Sequence, residues 1–121
     1  MARLGGARMN TLGQAAEALA AAHLQGAGLQ VLARNYQCRL GEIDLVCREA
    51  EVLVFVEVRQ RRSERFGGAA GSLTARKQTR IRLAARHYLM HLGREPACRF
   101  DVVLVRGVKQ SVEWIRNAFE A

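Results

Sequence analysis

From Val52 to Val58 every position but one is apolar, and the exception is Glu57. Leu53, Phe55, Glu57 and Arg59 fall on one side of this segment, and Val52, Val54, Val56 and Val58 on the other. Apolar residues on both sides predict a central strand, covered above and below. Glu42 to Arg48 predicts the strand before it. There Glu42, Asp44, Val46 and Arg48 share a side, opposite Ile43, Leu45 and Cys47. The short polar turn Glu49-Ala50-Glu51 between the two strands predicts an antiparallel hairpin.

The rest of the chain supplies two helices and three more strands. Thr11 to Gln25 is rich in alanine and leucine and has no proline, which favours a helix. Leu12, Ala15, Ala16, Leu19, Ala22 and His23 outline its apolar stripe, and Gly26 with Gly28 ends it. Leu29 to Tyr36 predicts an irregular first strand. Thr74 to Leu92 predicts a second helix, with Leu73, Ile81, Ala84, Ala85, Tyr88 and Leu89 inward. Gly93 stops it, and Arg99 to Arg106 and Ser111 to Arg116 are the last two strands. The order αβββαββ implies an α/β fold with a mixed sheet of about five strands flanked by helices. Its third and fourth strands are parallel, joined through the second helix by a right-handed crossover.

At 121 residues the chain is long enough for one domain, expected over 11–121 behind a loose tail at 1–10. No apolar run approaches the roughly 18 residues of a membrane span. Three cysteines, Cys38, Cys47 and Cys98, form no C-x-x-C pair. Neither a disulfide framework nor a zinc site is indicated, which fits a cytoplasmic location.

The net charge of +8 is unevenly placed. From Arg59 to Arg86 there are nine Lys or Arg against the single acid Glu64, while the remainder holds ten of each sign. A localised basic patch points to a polyanion partner, nucleic acid above all. Arg61, Arg62, Arg76, Lys77, Arg80 and Arg86 are the candidates for gripping a nucleic-acid backbone. Phe66 to Gly71 predicts a mobile loop, and it lacks the spacing of a nucleotide-binding loop.

Asp44 and Glu57 are carboxylates inside otherwise apolar strands. Such groups are costly unless paired, protonated or bound to a metal. For Asp44 the plainer alternative is pairing with an arginine such as Arg59. Asp101 opens a strand and reads as structural, bonded to an arginine or a backbone amide. His23, His87 and His91 are dispersed without ligand spacing.

GEIDLV at 41–46, VFVEVRQRRS at 54–63 with FGGAAGS at 66–72, and RFDVV at 99–103 resemble the PD-(D/E)XK nuclease superfamily. More narrowly the chain, from Gly13 to Trp114, resembles the YraN-like family of predicted endonucleases, distantly related to archaeal Holliday junction resolvases. The resemblance implies a restriction-endonuclease-like core and metal-dependent hydrolysis of phosphodiester bonds in DNA, branched or recombination intermediates included. It makes Asp44 and Glu57 the ligands of Mg2+ or Mn2+, with Glu17 as the additional glutamate and the Val58 carbonyl as a further donor. Arg59 stands where the motif has lysine. Lysine can give up a proton, whereas arginine cannot, so Arg59 would hold phosphate and Lys77 becomes the candidate relocated lysine. Gln60 is the candidate for positioning the water. Resolvase relatives act as dimers, so a homodimer is a further expectation. Two other functions stay open: a non-catalytic nucleic-acid-binding module on a nuclease fold, and a protein-interaction factor.

Overall fold

A computed structural model describes residues 11–61, 73–106 and 111–121. Helix α1 (Thr11–Gly26) is followed by β1 (Gln30–Cys38), β2 (Gly41–Glu49) and β3 (Val52–Arg61). Helix α2 (Ala75–Leu92), β4 (Cys98–Arg106) and β5 (Ser111–Phe119) complete the order αβββαββ. Helix α2 is capped at both ends by its own sequence. The Thr74 hydroxyl accepts from the Lys77 N–H at 3.1 Å. Gly93, in the left-handed region at φ 81°, returns its N–H to the Leu89 carbonyl at 3.1 Å.

The five strands lie in the order β1-β2-β3-β4-β5. The pairs β1·β2, β2·β3 and β4·β5 are antiparallel, and β3·β4, bridged by α2, is parallel. This is the mixed sheet of a restriction-endonuclease-like α/β fold. Strand β3 sits at its centre because its apolar residues have partners on both sides. Helix α2 covers Leu53 and Phe55 together with Ile43, Val46, Phe100, Val102 and Leu104. Helix α1 covers Val54 and Val56 together with Leu45, Cys47, Val103 and Val105.

Two details differ from the sequence expectation. The face of α1 turned to the sheet carries Ala16, Ala20, Ala21 and Leu24, while Ala15, Ala22 and His23 are exposed. A helix this rich in alanine has little contrast between its faces, so the sheet decides which one is buried. In β2, Ile43 packs with Val46 under α2 and not with Leu45 and Cys47. Strict alternation is therefore broken at the one residue between Ile43 and Leu45, which is Asp44.

Gly41 sets how closely α2 approaches. A Cβ at Gly41 would lie 1.9 Å from the Arg80 carbonyl oxygen. Only glycine lets the helix backbone rest against the start of β2, and that close approach brings the first turns of α2 over the centre of the sheet.

Candidate active site

The ladder between β2 and β3 runs from Glu49↔Val52 as far as Leu45↔Val56 and stops. The next pair would be Asp44 and Glu57. The strands fork there, and the Val58 N–H, which has no backbone partner on β2, donates to Asp44 Oδ2 at 2.8 Å. On the other side of β2 the pairing with β1 also skips Asp44, passing from Arg34↔Leu45 to Tyr36↔Ile43. The aspartate thus stands at a local opening of the sheet. This explains how a carboxylate is tolerated between Ile43 and Leu45 and why the alternation breaks around it.

Glu57 is 5% exposed and projects to the α2 side of β3. Burial, and then the neighbouring Asp44 charge, push its carboxyl up to about 8, against the pull of Lys77. Asp44 is also raised by burial, offset by the Val58 N–H and by a hydrogen bond from Glu57. Burial raises both acids, and the hydrogen bond between them raises Glu57 further while it lowers Asp44. Glu17 approaches from α1. Burial first and the Asp44 charge second raise its carboxyl, while an Asn35 hydrogen bond works against them.

Three cationic features meet this acidic centre. Lys77 Nζ lies 3.4 Å from Glu57 Oε2, and Arg59 Nη1 lies 4.0 Å from the same oxygen. The third is the N-terminus of α2, whose first turn contains no acid. Arg76 and Lys77 sit in that turn and Arg80 in the next, where the helix dipole disfavours cations. Arg76, Arg80 and Arg86 are exposed. The Arg61 side chain, Arg62 and the glycine-containing loop fall outside the described residues.

Asp44, Glu57, Arg59 and Lys77 are therefore brought together on the α2 side, with Glu17 near Asp44 from α1. Gln60 is exposed, and strand alternation puts it with Val58 on the α1 side of β3. Arg59 pairs with Glu57 rather than with Asp44. The sequence pattern did not single out Asn35, which has φ 52° in the middle of β1 and lies opposite Asp44. An asparagine in an irregular strand was the available signal, since it tolerates the left-handed region.

The donor set is oxygen only, which suits Mg2+ or Mn2+. Among the described residues no three His, Cys, Asp or Glu side chains form a ready cage. Asp44 and Glu57 are the residues that would hold such an ion, which keeps several of its waters.

Asp101 shows what a structural carboxylate looks like in the same sheet. It is fully buried and accepts from Arg99 Nε at 3.0 Å, Trp114 Nε1 at 2.9 Å and the Asn117 N–H at 2.9 Å. Its charge is met by an arginine, whereas Asp44 faces a second acid. No described helix is long and apolar enough to cross a membrane.

A family model described as "Uncharacterised protein family UPF0102" matches residues 16–105. A UPF0102 protein of Nitrosomonas europaea is 57% identical over 110 residues, covering 89% of this chain and 92% of its own length. One from Nitrosospira multiformis is 53% identical over 109 residues, with 89% and 92% covered. One from Verminephrobacter eiseniae is 59% identical over 113 residues, with 90% and 78% covered.

Proposed function

The chain belongs to the UPF0102 family, and from that premise we propose that it is a metal-dependent endonuclease hydrolysing phosphodiester bonds in DNA. The observation that carries this reading is the Asp44–Glu57 pair at the fork of β2 and β3, two embedded carboxylates beside Lys77. Two embedded carboxylates held so close are costly to the fold. A divalent ion turns that cost into binding energy.

Asp44 and Glu57 would hold Mg2+ or Mn2+, with Glu17 beside Asp44. When bound, such an ion lowers the pKa of a coordinated water and neutralises charge building on the scissile phosphate. The remaining steps belong to the chain. Glu57 would hold the ion as its carboxylate. Lys77, pointed at Glu57 from the first turn of α2, would brace a nonbridging phosphate oxygen. Arg59 holds the phosphate as a fixed cation. Arg76, Arg80 and the N-terminus of α2 grip the DNA backbone without reading its sequence. The preference for branched or recombination intermediates rests on the resemblance to resolvases.

Arg59 at the position of the motif lysine favours a second reading, a DNA-binding module that does not cleave. One experiment separates the two. Duplex, single-stranded, flap and four-way-junction DNA, and RNA, are incubated with Mg2+, Mn2+ or chelator, with Asp44→Ala as the control. Metal-dependent products from the parent alone support the nuclease. Tight, salt-sensitive binding by both proteins with no products supports the module.

A further inference from the structure

We infer that Asn35 is a positioning residue, which fixes the Glu17 carboxylate beside Asp44 and thereby strengthens binding of the divalent ion. The inference rests on the proposed metal site. Three observations carry it. The β1·β2 register, Arg34↔Leu45 then Tyr36↔Ile43, puts Asn35 directly across from Asp44. The backbone of Asn35 is left-handed at φ 52°, although β1 continues on both sides of it. Asn35 also hydrogen-bonds the Glu17 carboxylate. A single left-handed residue within a strand is kept where the surroundings over-determine it, and such residues cluster at functional sites.

The chemistry explains why this residue is an amide. Glu17 belongs to α1, on the face of the sheet opposite α2 and Lys77. Left alone, its carboxylate would turn away from the Asp44 charge. A side-chain N–H from Asn35 holds it in place and adds no positive charge. An arginine in the same place would hold it as firmly and would compete with the metal. Groups that orient a ligand in this manner commonly change metal affinity by about 10-fold or more.

The test is calorimetric titration of Mn2+ into the parent, Asn35→Gly, Glu17→Gln and the double variant. Glycine accepts the left-handed backbone, so Asn35→Gly removes the amide while leaving the conformation. Asn35→Ser, which removes the amide and adds no charge, serves if the glycine variant fails to fold. The expected result is a loss of about 10-fold in affinity for each single variant. The double variant should bind no more weakly than Glu17→Gln alone, because Asn35 acts through Glu17. A general loosening of the fold would instead make the two losses multiply, which would overturn the inference. Parent-like affinity in Asn35→Gly would overturn it too, while a loss in Asp44→Ala kept the metal site itself intact. Failure of the parent to bind Mn2+ more tightly than Asp44→Ala would overturn both this inference and the metal site beneath it.

Discussion

Lys77 Nζ stands 3.4 Å from Glu57 Oε2, although one belongs to the first turn of α2 and the other to the centre of β3. Where a D…E-x-K site carries a lysine two residues after its glutamate, the cation nearest Glu57 comes here from a helix. That strand position holds Arg59, 4.0 Å from the same oxygen. Lys77→Met keeps the apolar stem and removes the ammonium. We expect it to lower the single-turnover cleavage rate by about 100-fold, the usual effect of losing one preorganised donor at a developing charge. Arg59→Lys, which keeps a cation in place, should lower it much less. Equal losses in the two variants would remove the special role of Lys77.

Glu57 gives the metal-free protein a distinctive pH dependence. Its carboxyl rises from an ordinary 4.5 to about 8 on folding, so between those values the folded chain binds the extra proton. The stability this contributes is fully present below the lower value and is lost as pH rises through the upper one. In chelator, the melting temperature should fall across this window, and Glu57→Gln should flatten the fall. Glu49, held below its ordinary value by Arg116 and Arg99, titrates outside the window. Affinity for Mg2+ should climb over the same range, because the ion must displace the proton. A parent and a Glu57→Gln variant with parallel melting curves would count against the raised Glu57 carboxyl.

Gly41→Ala tests whether α2 is seated by the start of β2. The added methyl would meet the Arg80 carbonyl, a backbone atom that cannot swing aside. A loss of about 3 kcal/mol in urea denaturation is expected, as for other overpacked sites. Because α2 also carries Lys77, cleavage by the folded fraction should fall as well. A variant of unchanged stability would show that the helix shifts without cost.

The order of elements, the central place of β3 and the parallel β3·β4 pair were all legible, because they follow from hydrophobic period and connection rules. Family membership was legible from the acid-bearing blocks, and the comparisons bear it out. Three features were hidden, each a tertiary effect. The buried face of α1 was masked by its many alanines. The fork at Asp44 displaced Ile43 to the other face, which a strict two-residue period cannot express. Asn35, an asparagine in an irregular strand, signalled a tolerance of the left-handed region but not that it would turn so opposite Asp44. The place of Lys77 beside Glu57 follows from the crossover of its helix over the sheet.

The first turns of α2 should supply affinity for DNA without specificity. Arg76 and Arg80 are exposed and project from the helix that carries Lys77. Replacing each by alanine should weaken binding to all DNA sequences alike. It should also reduce the slope of log affinity against log salt by about 0.9 for each phosphate that is no longer neutralised. A fall confined to one sequence would mean that these arginines read bases.

Asp101 and Asp44 should respond oppositely to neutralisation. Asp101→Ala takes a fully buried acceptor away from Arg99, the Trp114 indole N–H and the Asn117 N–H, whose own residues are partly buried or exposed. Breaking a buried ion pair in this way costs about 4 kcal/mol. Asp44→Asn keeps an oxygen for the Val58 N–H while removing the charge that faces Glu57. In chelator that variant should be at least as stable as the parent, while losing metal-dependent cleavage. Chemical denaturation of both variants, with and without Mg2+, decides the matter. If Asp44→Asn were as destabilised as Asp101→Ala in the absence of metal, Asp44 would be a structural residue. The fork would then be a packing solution rather than a site.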